Sequence, residues 1–304
     1  MSAERAFIES LKALASVPAA RALADDCAVL EVGGETLVLT HDVLVEGVHT
    51  LPGQDPADIA WKLVSVNLSD LAAKGARTLG VLLGHMLGPD DERFVAGLTE
   101  ALTRYDVPLL GGDTSSGGPP RCWGLTAIGK ATHRPVPSRA GARGGDSVWV
   151  TGPLGAAMAG FEALRDNTGA DSTAYRRPLA CLGEGEALAP LVTAMMDISD
   201  GLLLDAFRMA EASRVTLALT SADVPIAVAE DRRAEALRWG EDYELLFTLP
   251  AGTEPTVSAW RIGEVRERGE TALLLDGGEP EGPLGYEHGR DLAHAPTDLV
   301  CGRT

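Results

Sequence analysis

The sequence predicts an α+β protein of two domains, each of which mixes strands with helices. Short apolar runs with strand spacing alternate with stretches of helical spacing along the chain. A run of glycine and small residues, AGARGGDS at 140–147, breaks that alternation near the middle and places the boundary between 1–140 and 141–304. With 304 residues and 45% hydrophobic content, the chain can bury two domain-sized cores. No repeat suggests a solenoid.

The elements follow in order. Residues 4–15 have helical spacing, with Phe7, Ile8, Leu11 and Leu14 on one face. Strands are expected at 27–31 (CAVLE) and 36–40 (TLVLT), the second ending at His41-Asp42. Asp55-Pro56 starts a helix, a capping carboxylate followed by proline at the first helical position; it runs to about Lys74, with Gly75 as terminator. An apolar run at 78–87, a helix near 90–104, a short strand at 107–110 and a strand over 123–130 complete the first half. VWVT at 148–151 opens the second half as a strand and turns through Gly152-Pro153-Leu154-Gly155 into a helix. A break near 170–178 leads to a helix around 181–194, then to the segment MMDISDGLLLDAFRMAEAS, a strand at 215–219 and the run YELLFTLP at 243–250. The remainder alternates short strands with Gly/Pro turns.

Composition narrows the partners. Forty-four acidic against 26 basic residues give a formal net charge of −18, which repels nucleic acid unless basic residues cluster. The longest basic grouping, Arg232-Arg233, is flanked by acids. Neither nucleic acid nor a membrane is expected as a partner, since no run approaches a membrane span. The N-terminal segment, with Glu4 and Glu9, lacks the apolar stretch of a signal peptide. Cys27, Cys122, Cys181 and Cys301 form no CxxC pair and have no zinc-finger histidine spacing, so they read as reduced thiols of a cytoplasmic protein.

The aspartates carry the chemistry. Asp25-Asp26 precede a strand, Asp42 ends one, Asp113 follows VPLLGG, and Asp197 and Asp200 bracket Ile198-Ser199. Asp70 lies inside an apolar helix, where Asn67, Asp70 and Lys74 share a face at i, i+3, i+7. A carboxylate there must be paired, hydrogen-bonded or metal-bound. Taken singly, each aspartate also reads as a turn or cap residue. Taken together, six carboxylates from strand ends would repel one another unless divalent cations held them. Oxygen ligands without Cys or His suit Mg²⁺, and the spacing of an EF-hand is absent. Several magnesium ions on aspartates serve mainly phosphoryl transfer. Gly111-Gly112-Asp113-Thr114 can offer backbone N–H groups to a phosphate. Asp197-Ile198-Ser199-Asp200-Gly201 opens a helix whose free N–H groups and dipole suit the same task, with Ser199 either a phosphate donor or a plain cap. No Walker A, kinase glycine loop, HRD or DFG motif is present.

Six segments carry a resemblance: Asp25-Asp26-Cys27-Ala28, Thr40-His41-Asp42, Val66 to Ala73 (VNLSDLAA), Gly111 to Thr114, Asp197 to Gly201, and Gly240-Glu241-Asp242-Tyr243-Glu244. In this order, over roughly residues 20–290, the chain resembles the thiamine-monophosphate kinases. The NLSD and DxSDG parts are shared more loosely with the wider superfamily of aminoimidazole ribonucleotide synthetase and selenophosphate synthetase. The resemblance implies two α/β domains of that superfamily's type, the first, 1–140, binding ATP and Mg²⁺ and dimerising through its sheet, the second, 141–304, completing the substrate site. It implies transfer of the γ-phosphoryl of ATP to thiamine monophosphate in a homodimer, with ATP in a groove between the N-terminal halves.

Carried over by motif, Asp26, Thr40, His41, Asp42, Asp70, Asp113, Asp197 and Asp200 would hold metals, Asp42, Asp70, Asp113, Asp197 and Asp200 forming the catalytic set. Gly112, Asp113, Arg139 and Ser199 would meet ATP, with Tyr105 near its base. His49, Glu241 and Tyr286 would contact the thiamine phosphate. The chain departs from the family at Ala22 and Ala24, where glycines are usual, at His41, where Thr or Ser is common, and at Trp239, where a glycine is usual. Two alternatives stay open at this point: another ATP-dependent enzyme of the superfamily, selenophosphate synthetase-like, or a catalytically silent metal- or nucleotide-binding protein. The first lacks support in the absence of a glycine-rich loop carrying a reactive Cys and a lysine.

Overall fold

A computed structural model describes residues 3–288. Helix α1 (Ala3–Leu11) leads through a 3-10 segment, Pro18–Leu23, to strands β1 (Ala28–Val32) and β2 (Glu35–Val45). Then come α2 (Pro56–Ala73), β3 (Ala76–Met86), α3 (Asp91–Tyr105), β4 (Leu109–Ser115) and β5 (Cys122–Ala131). The second half comprises β6 (Ser147–Val150), α4 (Ala156–Arg165), α5 (Thr173–Arg176), α6 (Leu182–Leu188), β7 (Ala194–Asp197), α7 (Leu202–Ser213), β8 (Val215–Leu219), α8 (Arg233–Ala236), β9 (Leu245–Leu249), β10 (Trp260–Glu267) and β11 (Leu273–Leu275). Among the described residues no helix is long and apolar enough to cross a membrane.

Most expected elements form, with three corrections. The first helix ends at Leu11 rather than near residue 15, and Phe7 and Leu14 of its apolar face are exposed. The strand expected at 107–110 runs instead over Leu109–Ser115, so the GGDT motif is strand rather than a turn after one. The helix expected at 181–194 stops at Leu188, two residues before Pro190, whose ring and missing N–H cannot continue it. The break at 170–178 holds the single turn α5.

Two sheets organise the fold. The first has the order β1-β2-β5-β3-β4, antiparallel except for the parallel β3–β4 pair at one edge. The second has the order β11-β8-β10-β6-β9-β7, antiparallel except for β11–β8. Helix α2 is the joint between them. It begins as the sequence predicts, with Asp55 Oδ1 accepting from the Ala57 N–H and Pro56 at the first position. Its C-cap is Lys74, and Gly75 takes the left-handed turn at φ 56°. Apolar residues lie all round it, as in a helix buried on every side. Leu63, Leu68 and Leu71 join Val38, Leu125 and Ala127 of the first sheet in one core. Ala72 and Ala73 instead pack with Trp149, Met195 and Phe247 of the second. A separate core under the second sheet joins Val148, Met196, Leu203, Leu217 and Ile262.

The first sheet is covered on one face. Alternation along β5 turns Trp123, Leu125 and Ala127 toward α2 and α3. On the other face Val43, Leu82 and Leu110 are exposed.

Candidate active site

Three elements bring carboxylates to one point. Asp26 precedes β1, Asp70 lies near the end of α2 and Asp197 ends β7, and one oxygen from each falls within 4.8 Å of the others. The NLSD run of α2 is what sets this geometry. Asn67 Oδ1 accepts the Asp42 N–H at 3.0 Å and so fixes β2 against the helix. Ser69 Oγ donates to Asp197 at 2.6 Å, and Asp70 accepts from the Thr40 hydroxyl. Crowded acids out of water favour protonation. Burial first, then the charges of Asp42, Asp197 and Asp26, push Asp70 well above the usual carboxylate range. Burial and then Asp26 push Asp42 up to about 6 and Asp197 to about 7.

Cations compensate on the far side. Lys74, fully buried, donates to Asp25 and, at 2.6 Å, to Asp26. Burial opposes its charge, yet Asp26 and Asp25 hold Lys74 above its ordinary value. Arg139 donates to Asp26 and Arg21 to Asp25. Arg21 also donates to the carbonyls of Val136 and Pro137, which pins the segment Arg21-Ala22-Leu23 in the left-handed region at φ 47°, 55° and 54°. Ala22 thus occupies a conformation that a glycine adopts without cost.

Asp200 stands between the cluster and a second group of residues, the candidate acceptor pocket. Its charge adds to the upward pressure on Asp42 on one side and on Glu241 on the other. Its side chain accepts from Arg208, and its carbonyl accepts the Tyr286 N–H at 2.9 Å. The neighbouring backbone differs from the expectation. The N–H groups of Ser199 and Asp200 are not free for a phosphate: both donate to Asp205 Oδ2, at 3.2 and 3.0 Å. The Ile198 N–H is taken by the Glu244 carbonyl. Gly201 is the cap of α7, so Ser199 is no N-cap, and its hydroxyl makes no hydrogen bond among the described residues.

His49, Glu241 and Tyr286 come together in that second pocket. Glu241 Oε1 pairs with Lys62 Nζ at 2.6 Å. The Lys62 ammonium also donates to the His49 carbonyl at 2.9 Å and lies 3.9 Å from the Tyr175 ring centroid. The His49 ring faces that of His288 at 5.3 Å, and His288 meets Tyr286 edge-on at 4.9 Å. Burial first, then His288 and Lys62, bring His49 down to about 4, so its ring is neutral at pH 7. Trp239 packs on Phe161, which packs on Tyr175, so it forms a wall behind the pocket. The other acids of the GEDYE segment face elsewhere. Asp242 accepts the N–H groups of Gly155 and Ala157 at the start of α4, and Glu244 accepts from Thr151 Oγ at 2.6 Å. The turn through Gly152–Gly155 is therefore a capped strand-to-helix turn.

Three predicted residues lie apart. Asp42 pairs across the sheet with Leu125, Leu83 and Gly112 in turn, so Asp113, one residue on, points to the opposite, open face. His41 points to that face too, its Nδ1 2.9 Å from the Thr126 hydroxyl, so its ring lies away from the cluster. The Tyr105 hydroxyl accepts the Ala180 N–H at 2.9 Å and meets Ser65 Oγ at 3.2 Å, a packing role between α2 and the chain before α6. Gly112 sits where a Cβ would fall 1.9 Å from the Leu83 carbonyl oxygen, so no other residue fits there without shifting β4.

Sequence reasoning passed over Lys62, Asp205 and Tyr175. A signal for Lys62 was available: a lysine among the apolar residues of α2 needs a buried partner. Asp205 offered none, since an acid in the first turn of a helix is ordinary.

Comparison with known proteins places this geometry. The family model described as AIR synthase related protein, N-terminal domain, matches residues 24–131, and the corresponding C-terminal domain matches residues 143–276. A thiamine-monophosphate kinase of Escherichia coli (strain K12) is 38% identical over 248 residues, 75% of this chain and 76% of that protein. One from Aquifex aeolicus is 34% identical over 291 residues, 88% of this chain and 93% of that one. A solved structure described as AaThiL complexed with AMPPCP and TMP superposes with a TM-score of 0.83 at 32% identity, covering 93% of this chain and 96% of that one. The two halves are those of AIR synthase related proteins. Within them, the chain belongs to the thiamine-monophosphate kinase family.

Proposed function

We propose that this chain transfers the terminal phosphoryl group of ATP to thiamine monophosphate, forming thiamine diphosphate in thiamine biosynthesis. It is an ATP-dependent kinase. The observation that carries the reading is the juxtaposition at Asp200: a carboxylate cluster on one side, the pocket of Glu241, His49 and Tyr286 on the other. A cavity of about 740 Å³ opens beside them, bordered by Asp25, Arg139, Asp200 and Arg208.

Asp26, Asp70 and Asp197, with Asp42, Asp200 and the Thr40 hydroxyl nearby, offer hard oxygen donors without sulfur, a set that suits magnesium. These residues would hold magnesium, which would supply positive charge to offset that of the phosphates. The chain's own residues do the rest. Glu241, His49 and Tyr286 hold the acceptor, and Arg139 lies where it can exchange Asp26 for a phosphate. Nothing in the pocket is needed as a covalent nucleophile, since aligning two phosphates and removing their repulsion accounts for most of such catalysis.

We assign ATP binding and most of the metal ligands to residues 1–140, and the remaining ligands, Asp197 and Asp200, with completion of the acceptor site, to 141–304. We also propose a homodimer joined through the open face of the first sheet. What supports it is the exposed apolar surface at Val43, Leu82 and Leu110, together with Asp113 and His41 on that face, away from their partner residues. Light scattering should give twice the chain's 31.8 kDa, and a fully active monomer would refute it. The cytoplasm fits the unpaired thiols of Cys27, Cys122 and Cys181; Cys301 lies outside the described residues.

The test of function is ADP release. It should require both thiamine monophosphate and magnesium, and chelator should abolish it. Release that is indifferent to thiamine monophosphate would refute the assignment.

A further inference from the structure

Lys62 is one of the two fully buried lysines of α2's apolar stretch and its end, and none of the cluster chemistry involves it. Its ammonium has three neighbours. It meets Glu241 Oε1 at 2.6 Å and the His49 carbonyl at 2.9 Å, and it sits 3.9 Å from the centroid of Tyr175. The Tyr175 hydroxyl donates to the same His49 carbonyl at 3.2 Å. A single cation thus fixes two residues of the acceptor pocket, one on the loop after β2 and one on the segment before β9. Glu241 needs this support. Its backbone is in the left-handed region at φ 67°, and its side chain is 21% exposed. Oε2 has no partner among the described residues.

We infer that Lys62 is the positioning residue of the acceptor pocket, orienting and neutralising Glu241 so that its free oxygen reads an N–H donor of the acceptor's aminopyrimidine ring. This deepens the proposed function and rests on it. The charge balance supports the choice of donor. Paired with Lys62, Glu241 contributes almost no net charge to the pocket, so it is a poor counter-ion for the thiazolium. Its free oxygen remains a directed hydrogen-bond acceptor. Trp239, Phe161 and Tyr175 form one aromatic series behind the ammonium and hold its position.

The experiment is a double-mutant cycle on the full chain, with Lys62→Met, Glu241→Gln and the two combined, assayed by ADP release at varied thiamine monophosphate and ATP. Lys62→Met should raise KM for thiamine monophosphate by about ten- to a hundredfold, the span of one hydrogen bond to a charged group, with KM for ATP nearly unchanged. The combined variant should match Glu241→Gln within about threefold, because Lys62 acts through Glu241. An acceptor whose pyrimidine amino group is replaced by a carbonyl, with the thiazolium retained, should lose affinity with the parent but not further with Glu241→Gln. Full additivity in the cycle would overturn the inference, as would equal use of that analogue by the parent. If Lys62→Met alone fails to fold, Glu241→Gln against the combined variant still decides the matter. Inactivity of the parent toward thiamine monophosphate would strike the proposed function instead.

Discussion

Replacing Lys74 with methionine tests the electrostatics of the cluster most directly. The ammonium has no solvent exposure and touches two carboxylates that are themselves 2% exposed. Breaking a buried ion pair by removing one partner costs about 3–5 kcal/mol, because the remaining charge stays buried without compensation. Here the loss belongs at the low end of that range. Asp25 keeps Arg21 and Asp26 keeps Arg139, so neither carboxylate is left alone. A cost of about 3 kcal/mol corresponds to a fall in melting temperature of roughly 6–12 °C, at about 2–4 °C per kcal/mol in a chain of this order of size. That figure applies in chelator. With magnesium bound at Asp26, Asp70 and Asp197, the metal would supply positive charge beside Asp26, and binding to the folded state alone adds stability by mass action. The deficit of Lys74→Met should therefore shrink by about half or more at saturating magnesium. The assay is a pair of thermal melts, parent and variant, with chelator and with magnesium. A variant that melts within about a degree of the parent in chelator would refute the compensation argument. A large deficit that magnesium leaves unchanged would refute the placing of metal at Asp26.

Two further perturbations follow from single contacts. Gly112→Ala places a methyl group against the Leu83 carbonyl oxygen at a backbone conformation that disfavours side chains, and should cost roughly 1–3 kcal/mol; a melt like the parent's would mean that β4 is not held as described. Asp242 is raised by burial to about 7 despite accepting two N–H groups. Its folded pKa lies above the unfolded value of 3.8, so the native state binds the proton more tightly. Its contribution therefore favours folding as pH falls from about 7 toward 3.8, and is lost as pH rises through 7. Asp242→Asn should flatten the melting-temperature profile between pH 6 and 8, costing less at the alkaline end. A difference from the parent that is constant over that range would refute the titration.

The sequence reading succeeded where local chemistry was sufficient. Asp55, Pro56 and Gly75 delimited α2 because caps and proline act within one turn. The face of Asn67, Asp70 and Lys74 was legible because helical spacing alone puts them together, and all three engage the joint between the sheets. Strand β8 at Val215–Leu219 was legible for a similar reason, an apolar run bounded by breaks. The motifs DDCA, NLSD and GEDYE carried the family membership, since their order along the chain needs no coordinates.

Tertiary structure decided which of those residues meet. Ser69 and Asp197 are 128 positions apart, and packing of α2 across both sheets is what joins them. Motif order assigned Asp113 and Asp42 to one metal set, but strand register turned them to opposite faces of a sheet, because successive side chains alternate. Helix-opening N–H groups at Ser199 and Asp200 looked free in sequence, and the side chain of Asp205 from the next turn occupies them. The sequence marked Lys62 as a lysine in need of a buried partner, but nothing local named Glu241 as that partner. Residue types and short periods are set by chemistry within a few positions, whereas the partner of a buried charge is set by whichever distant segment the cores bring beside it.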